Sequence, residues 1–265
     1  MTDQVLIVTA TTTHGPYHHR GTQIPQAVKW IAGTLNQIQE ATGHKPSLLV
    51  LPAGYFSVDM YSVKALQDLA QNLFQTGVSV PVATVIDADK HGTARQDLYP
   101  YFGTILNGGT LVGQPVQQAS ANSLEGKKVS AADTQILQRV HPVSGISFGL
   151  LCCGEIFCPA VRDALQTAAP TVILNMLHKL FENNGRTKRW WPLRLQELSN
   201  VTKGWVLFSG PCKNPQIMAY NFFQGNAITT IHTLILPSGV VLRSFVIPLK
   251  YSTSIHSQSG VRIEC

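Results

Sequence analysis

The residues best suited to covalent chemistry lie in Gly149–Pro159, GLLCCGEIFCP. An apolar, strand-like run over Ile146–Cys152 delivers Cys153. Gly154 and Glu155 follow, and Pro159 opens a helix-compatible stretch through Ala169. A cysteine between a buried strand and a helix N-terminus is placed for nucleophilic attack, because the free N–H groups and partial positive charge there favour thiolate. Gly154 lets a substrate approach the backbone and offers an N–H to a developing oxyanion. Buried cysteines are common and mostly inert, so the pattern needs partners. Glu155 is the nearest carboxylate, but two residues after the nucleophile it is better placed to orient the turn than to move protons. Histidines 14, 18 and 19, in the loop HGPYHHR, could serve as base only if that loop folds over the site.

The remaining reactive side chains read more plainly. His14 and His18 have the spacing of helical metal ligands, but Gly15 and Pro16 between them break that helix. The five cysteines, at 152, 153, 158, 212 and 265, form no CxxC pair and are odd in number, which argues against zinc and against a secreted disulfide framework. Cys152 faces away from Cys153 along the strand and reads as core, as does Cys158. Trp190 and Trp191 read as helix-packing aromatics, and Tyr55 and Phe56 as either pocket wall or core. With no GxSxG elbow, Walker loop or strand-borne GxGxxG, neither cofactor nor metal is expected.

The elements that would position Cys153 alternate between strand and helix. Val5–Ala10, Ser47–Leu51, Val80–Ile86, Thr171–Asn175 and Trp205–Ser209 are apolar strand-like runs. Ile24, Ala27, Val28, Ile31, Leu35 and Ile38 mark one helical face, ended by Gly43. Val63, Leu66, Leu69, Ala70 and Leu73 mark another, and Trp190–Val201 can form a further helix. Asp87–Arg95 is polar and reads as a loop. Asn107-Gly108-Gly109 signals a hairpin, and Ala227–Leu236 and Val240–Ile247 read as strands joined by a Pro-Ser-Gly turn. The pattern is α/β with mixed sheets, undecided between one large sheet and two. At 265 residues with no linker or repeat, residues 1–265 read as one domain, with 249–265 a C-terminal tail.

Charged residues are only 13% of the chain, about half the usual share. A surface so poor in charge suggests that some of it is covered, as in a homodimer or higher homo-oligomer. The basic excess, 20 Lys+Arg against 14 Asp+Glu, is scattered and does not suggest nucleic-acid binding. The N-terminus lacks the layout of a signal peptide, and no stretch approaches the ~20 apolar residues of a membrane span, so a soluble, cytoplasmic protein is expected.

The string Cys153-Gly154-Glu155-Ile156-Phe157-Cys158-Pro159 resembles the nucleophile motif of the nitrilase superfamily of carbon–nitrogen hydrolases. The likeness runs from Val5 to about Phe245. It takes in Leu48–Pro52, Lys127-Lys128-Val129, Arg194-Leu195-Gln196-Glu197 and the closing Gly225-Asn226-Ala227…Pro237-Ser238-Gly239. The resemblance implies a four-layer α-β-β-α sandwich that pairs through a helical layer. It implies cysteine-dependent hydrolysis of a small carboxamide or nitrile through a thioester. Cys153 would be the nucleophile, and Lys128 (Lys127 being the alternative) with the Gly154 N–H would hold the oxyanion. The family's third catalytic residue is a glutamate, and its position here is Ala53. Three readings stay open: an engineered inactivation, a natural catalytically silent protein that binds an amide-like ligand or a partner, or a base supplied from elsewhere. If position 53 held the proton shuttle in an active form, Ala53→Glu should raise amide hydrolysis by at least roughly a hundredfold.

Overall fold

The computed structural model describes residues 4–13, 17–90, 92, 95, 98–119, 136–178, 185–211, 221–228, 230, 232–236 and 240–248. In chain order the elements begin with β1 (Gln4–Thr12), α1 (Ile24–Thr42), β2 (Pro46–Val50), β3 (Ser57–Met60), α2 (Val63–Gln75) and β4 (Val82–Lys90). A meander follows: β5 (Tyr101–Asn107), β6 (Thr110–Leu111) and β7 (Val116–Gln117). Next come β8 (Val140–Val143), β9 (Ile146–Cys152), α3 (Pro159–Ala168), β10 (Val172–Met176), α4 (Gly185–Thr202) and β11 (Trp205–Pro211). The short β12 (Phe222–Phe223), β13 (Asn226–Ala227) and β14 (His232–Ile235) precede β15 (Val241–Pro248).

β1, buried from Val5 onward, is the spine of one half-sheet. It pairs in parallel with β2 and antiparallel with β15 from Gln4↔Pro248 to Thr11↔Val241. The order continues through β4, β5 and β6. The second half runs β11, β10, β9, β8, and β1 pairs with β11 where Thr11 and Thr12 meet Gly210 and Pro211. This join answers the question of one sheet or two: hydrogen bonding is continuous, but the halves pack face to face. Alternation along each strand then sorts the core into three layers. Leu6, Val8, Leu49 and Val82 face α1 and α2. Ile7, Val50, Val85 and Ile105 face Leu150, Cys152, Leu174 and Met176 of the other half. Leu151, Ile173 and Val206 face Val161, Leu165, Trp191 and Leu195 of α3 and α4. The result is an α-β-β-α sandwich.

The helices follow their sequence signals. The expected stripe of α1 is buried, and Gly43 ends the helix with φ 69°, a left-handed conformation that glycine adopts without strain. Ser62 caps α2 by accepting from the Ala65 N–H. Two strand boundaries differ from the sequence reading. β4 does not stop at Ile86 but continues to Lys90, because β3 pairs with it at Ser57↔Asp87 and β5 at Asp87↔Tyr101. The Ala227–Leu236 run holds two short strands, β13 and β14, with different partners. Among the described residues no helix is long and apolar enough to cross a membrane. Lys127, Lys128 and the segment 249–265 lie outside the described residues.

Candidate active site

Cys153 follows the last residue of β9 in a left-handed conformation, φ 46°. That region is uncommon for a residue with a Cβ and persists only where neighbours enforce it. The enforcement comes from Glu155, which is fully buried. Its carboxylate accepts from the Cys152 N–H at 2.8 Å and the Ala119 N–H at 2.6 Å. It also takes both ends of the Arg139 guanidinium, at 2.8 and 2.9 Å. Arg139 is equally buried and also donates to the Leu150 carbonyl. Such a bidentate pair fixes a plane as well as a distance. Glu155 therefore holds the turn that presents the thiol, and its acceptor sites face this frame. Asn175 adds donations to the Leu151 and Cys153 carbonyls.

The helix begins at Pro159, where the sequence placed it. A 3-10 turn, Cys153–Phe157, intervenes before α3. The influence on the thiol comes instead from His178, just beyond the end of β10. Burial pushes the Cys153 thiol up, but the His178 imidazole, its charge, and the backbone N–H groups of His178 and Gly154 outweigh this and bring it below its ordinary value. His178 shows the reciprocal effect. Burial works against its charge, yet Asp87 and the Cys153 sulfur raise it to about 9. The two shifts have a shared cause, each group's charge favouring the other's charged form.

Asp87 anchors this pair. One carboxylate oxygen lies 2.6 Å from His178 Nε2 and the other 2.7 Å from His18 Nε2. With Nε2 on Asp87, Nδ1 of His178 is buried and makes no hydrogen bond among the described residues. The loop carrying His18 is laid against the 54–57 segment: the His18 N–H donates to Gly54 O, the His19 N–H to Tyr55 O, and the Ser57 N–H to His19 O. The first loop does fold over the site, as the histidine reading required, but His18 meets the carboxylate rather than the thiol. The four side chains do not form a metal cage; no group of three or more His, Cys, Asp or Glu among the described residues could hold an ion.

Ala53 is wholly buried, and its methyl packs in the layer between the half-sheets. Its N–H donates to Leu177 O, so the 52–54 turn is tied directly to the segment bearing His178. Tyr55, which the sequence left as pocket wall or core, is a core residue on the helical side. Its ring belongs to an aromatic group with Tyr17, His19 and Trp30, lining a separate cavity of about 420 Å³ under α1. The reason is alternation: the turn at Gly54 (φ 69°) sends Tyr55 to the helical side of the half-sheet. Trp191 is buried against Phe157, whereas Trp190 is exposed.

The sequence reading missed His178 and Asp87. Both had a signal: each is the first titratable residue after an apolar strand run, the edge where α/β folds build their sites.

No protein-family model matches this sequence, and no curated protein matches it. Solved structures do. Nit3 of Saccharomyces cerevisiae, from branch 10 of the nitrilase superfamily, superposes with TM-score 0.57 over 98% of this chain and 96% of its own, at 11% identity. The carbon–nitrogen hydrolase of Helicobacter pylori G27 gives 0.56 over 97% and 93%, also at 11% identity. An amidase of the superfamily from Nesterenkonia AN1 gives 0.54 over 96% of each chain at 12%. The fold is that of the nitrilase superfamily. In this nitrilase fold, Cys153 follows β9, the Asp87 carboxylate lies within β4, and the His178 imidazole stands just beyond β10.

Proposed function

We propose that this protein hydrolyses a non-peptide C–N bond, of a small carboxamide or nitrile, with Cys153 as nucleophile and the His178–Asp87 pair as its acid and base. One observation carries this reading: the buried imidazole of His178, 2.6 Å from Asp87, is coupled to a thiol held below its ordinary value. The carboxylate missing at position 53 is thereby replaced in function by an imidazole carried just beyond β10.

The chemistry runs in two halves. The Cys153 thiolate attacks the carbonyl carbon, and the C=O π electrons move onto oxygen. Collapse of this intermediate breaks the C–N bond as protonated His178 gives its proton to the departing nitrogen. Neutral His178 then takes a proton from water, whose oxygen attacks the thioester. Collapse expels the Cys153 thiolate and restores the ion pair. Asp87 holds the imidazole through Nε2 and stabilises its cationic form. Lys128, implied by resemblance alone, would share the oxyanion with the Gly154 N–H.

The test is ammonia release across a panel of short amides and nitriles, with Cys153→Ala as control. A substrate turned over by the wild type and not by Cys153→Ala supports the proposal. Absence of turnover together with a Cys153 inert to iodoacetamide would favour a silent binding protein.

A further inference from the structure

Tyr101 stands beside the catalytic carboxylate and has no structural task for its hydroxyl. It is the antiparallel partner of Asp87 across β4 and β5, so both side chains leave the sheet on the same face. That face looks toward the other half-sheet, from which His178 projects. The Tyr101 ring lies 4.3 Å from the His178 ring, tilted by 42°. Tyr99 stacks on it at 5.9 Å and 8°. Its carbonyl is held by the Gln118 N–H at 2.8 Å. The ring is thus fixed by its strand, by Tyr99 and by His178. The hydroxyl makes no hydrogen bond among the described residues, although Tyr101 is only half-buried and its oxygen is not sealed in the core.

A phenol held against the base, with a free donor, suits the one charge in this chemistry that the triad does not neutralise. We propose that the Tyr101 hydroxyl donates a hydrogen bond to the oxyanion of the tetrahedral intermediates formed at Cys153. This rests on the reading of Cys153, His178 and Asp87 given above. The proton stays on tyrosine throughout: sulfur adds to the carbonyl carbon, the oxygen gains the electron pair, and the hydroxyl shares its hydrogen with that oxygen until the C–N bond breaks. Consistent with a donor role, burial and then the negative charges of Asp87 and Cys153 push Tyr101 above the ordinary phenol value, so the proton is retained. A donor aimed where charge develops acts on the transition state rather than on binding.

Tyr101→Phe keeps the ring contacts and removes only the hydroxyl. Two reactions of Cys153 then separate its roles: alkylation by iodoacetamide, which creates no oxyanion, and acyl transfer from p-nitrophenyl acetate, which does. The expected result is an unchanged pH profile of alkylation, a kcat for acyl transfer lower by on the order of 100-fold, and little change in KM. An unchanged kcat would overturn the proposal. So would an equal loss in both reactions, which would make the hydroxyl a partner of the nucleophile. If wild-type Cys153 neither alkylates faster than an ordinary thiol nor accepts an acetyl group, the hydrolase reading falls and this proposal with it. A wild-type enzyme that reacts normally beside an unaffected Tyr101→Phe defeats this proposal alone.

Discussion

Replacing His178 with alanine tests the core of the site, and its effect can be worked from the geometry. The Cys153 thiol is pulled two ways: burial raises it, and the imidazole with two N–H groups lowers it. Without the imidazole, burial is opposed only by the N–H groups. The thiol should then return to its ordinary value of 9.0 or rise beyond it. A thiol at that value is ionised to only about 1% at pH 7. If the wild-type pair holds most of the sulfur as thiolate, alkylation at pH 7 falls by about 100-fold; if it holds one part in ten, the fall is still about tenfold. The assay is the rate of iodoacetamide alkylation from pH 5 to 10, with the modified residue identified by mass spectrometry. The midpoint of the profile should move upward. Turnover should fall further than alkylation, by ~10²–10⁴-fold, because the proton carrier is lost as well. Asp87→Asn, which keeps the imidazole but removes the charge that supports it, should give an intermediate shift. Superimposable profiles for wild type and His178→Ala would refute the ion pair and send the search for a base elsewhere.

Other consequences follow from the same structure. Ala53→Glu, which the family resemblance alone would make a gain of function, should instead lower activity and stability. The methyl is wholly buried between the half-sheets, and overpacking such a site costs about 1–3 kcal/mol before the carboxylate's desolvation is counted; thermal denaturation beside the amide assay checks this. Glu155→Ala leaves Arg139 charged and buried without its bidentate partner, and should destabilise the fold by about 3–5 kcal/mol in urea titrations. A destabilisation below ~1 kcal/mol would mean that water reaches the guanidinium. Finally, Trp190, Leu193 and Val201 remain exposed on α4 in the outer helical layer. Sedimentation should give a mass of two or more chains at micromolar concentration, shifting toward one chain in Leu193→Glu; a single-chain mass for the wild type would count against pairing through α4.

The sequence by itself determined the local events. The stripe of α1, Gly43 after it and the Asn-Gly-Gly hairpin depend on neighbours within a few residues, and each appears where its residues place it. Cys153 was legible for the same reason, since strand, glycine and proline are contiguous in the chain. What the sequence could not supply was the partner of that thiol. Asp87 and His178 are 91 residues apart and meet only because β4 and the segment after β10 come together across the layer between the half-sheets. Asp87 looked like the start of a loop because its strand is completed by pairing with β3 and β5, a non-local event. Tyr55 could be placed on either side of its half-sheet until the turn at Gly54 chose one. Glu155 showed the opposite case: its identity was visible, but its task required Arg139 from 16 residues upstream, buried beside it. Strand and helix are written in short-range pattern; the proton carrier, the oxyanion donor and the frame around the thiol exist only where distant strand ends converge.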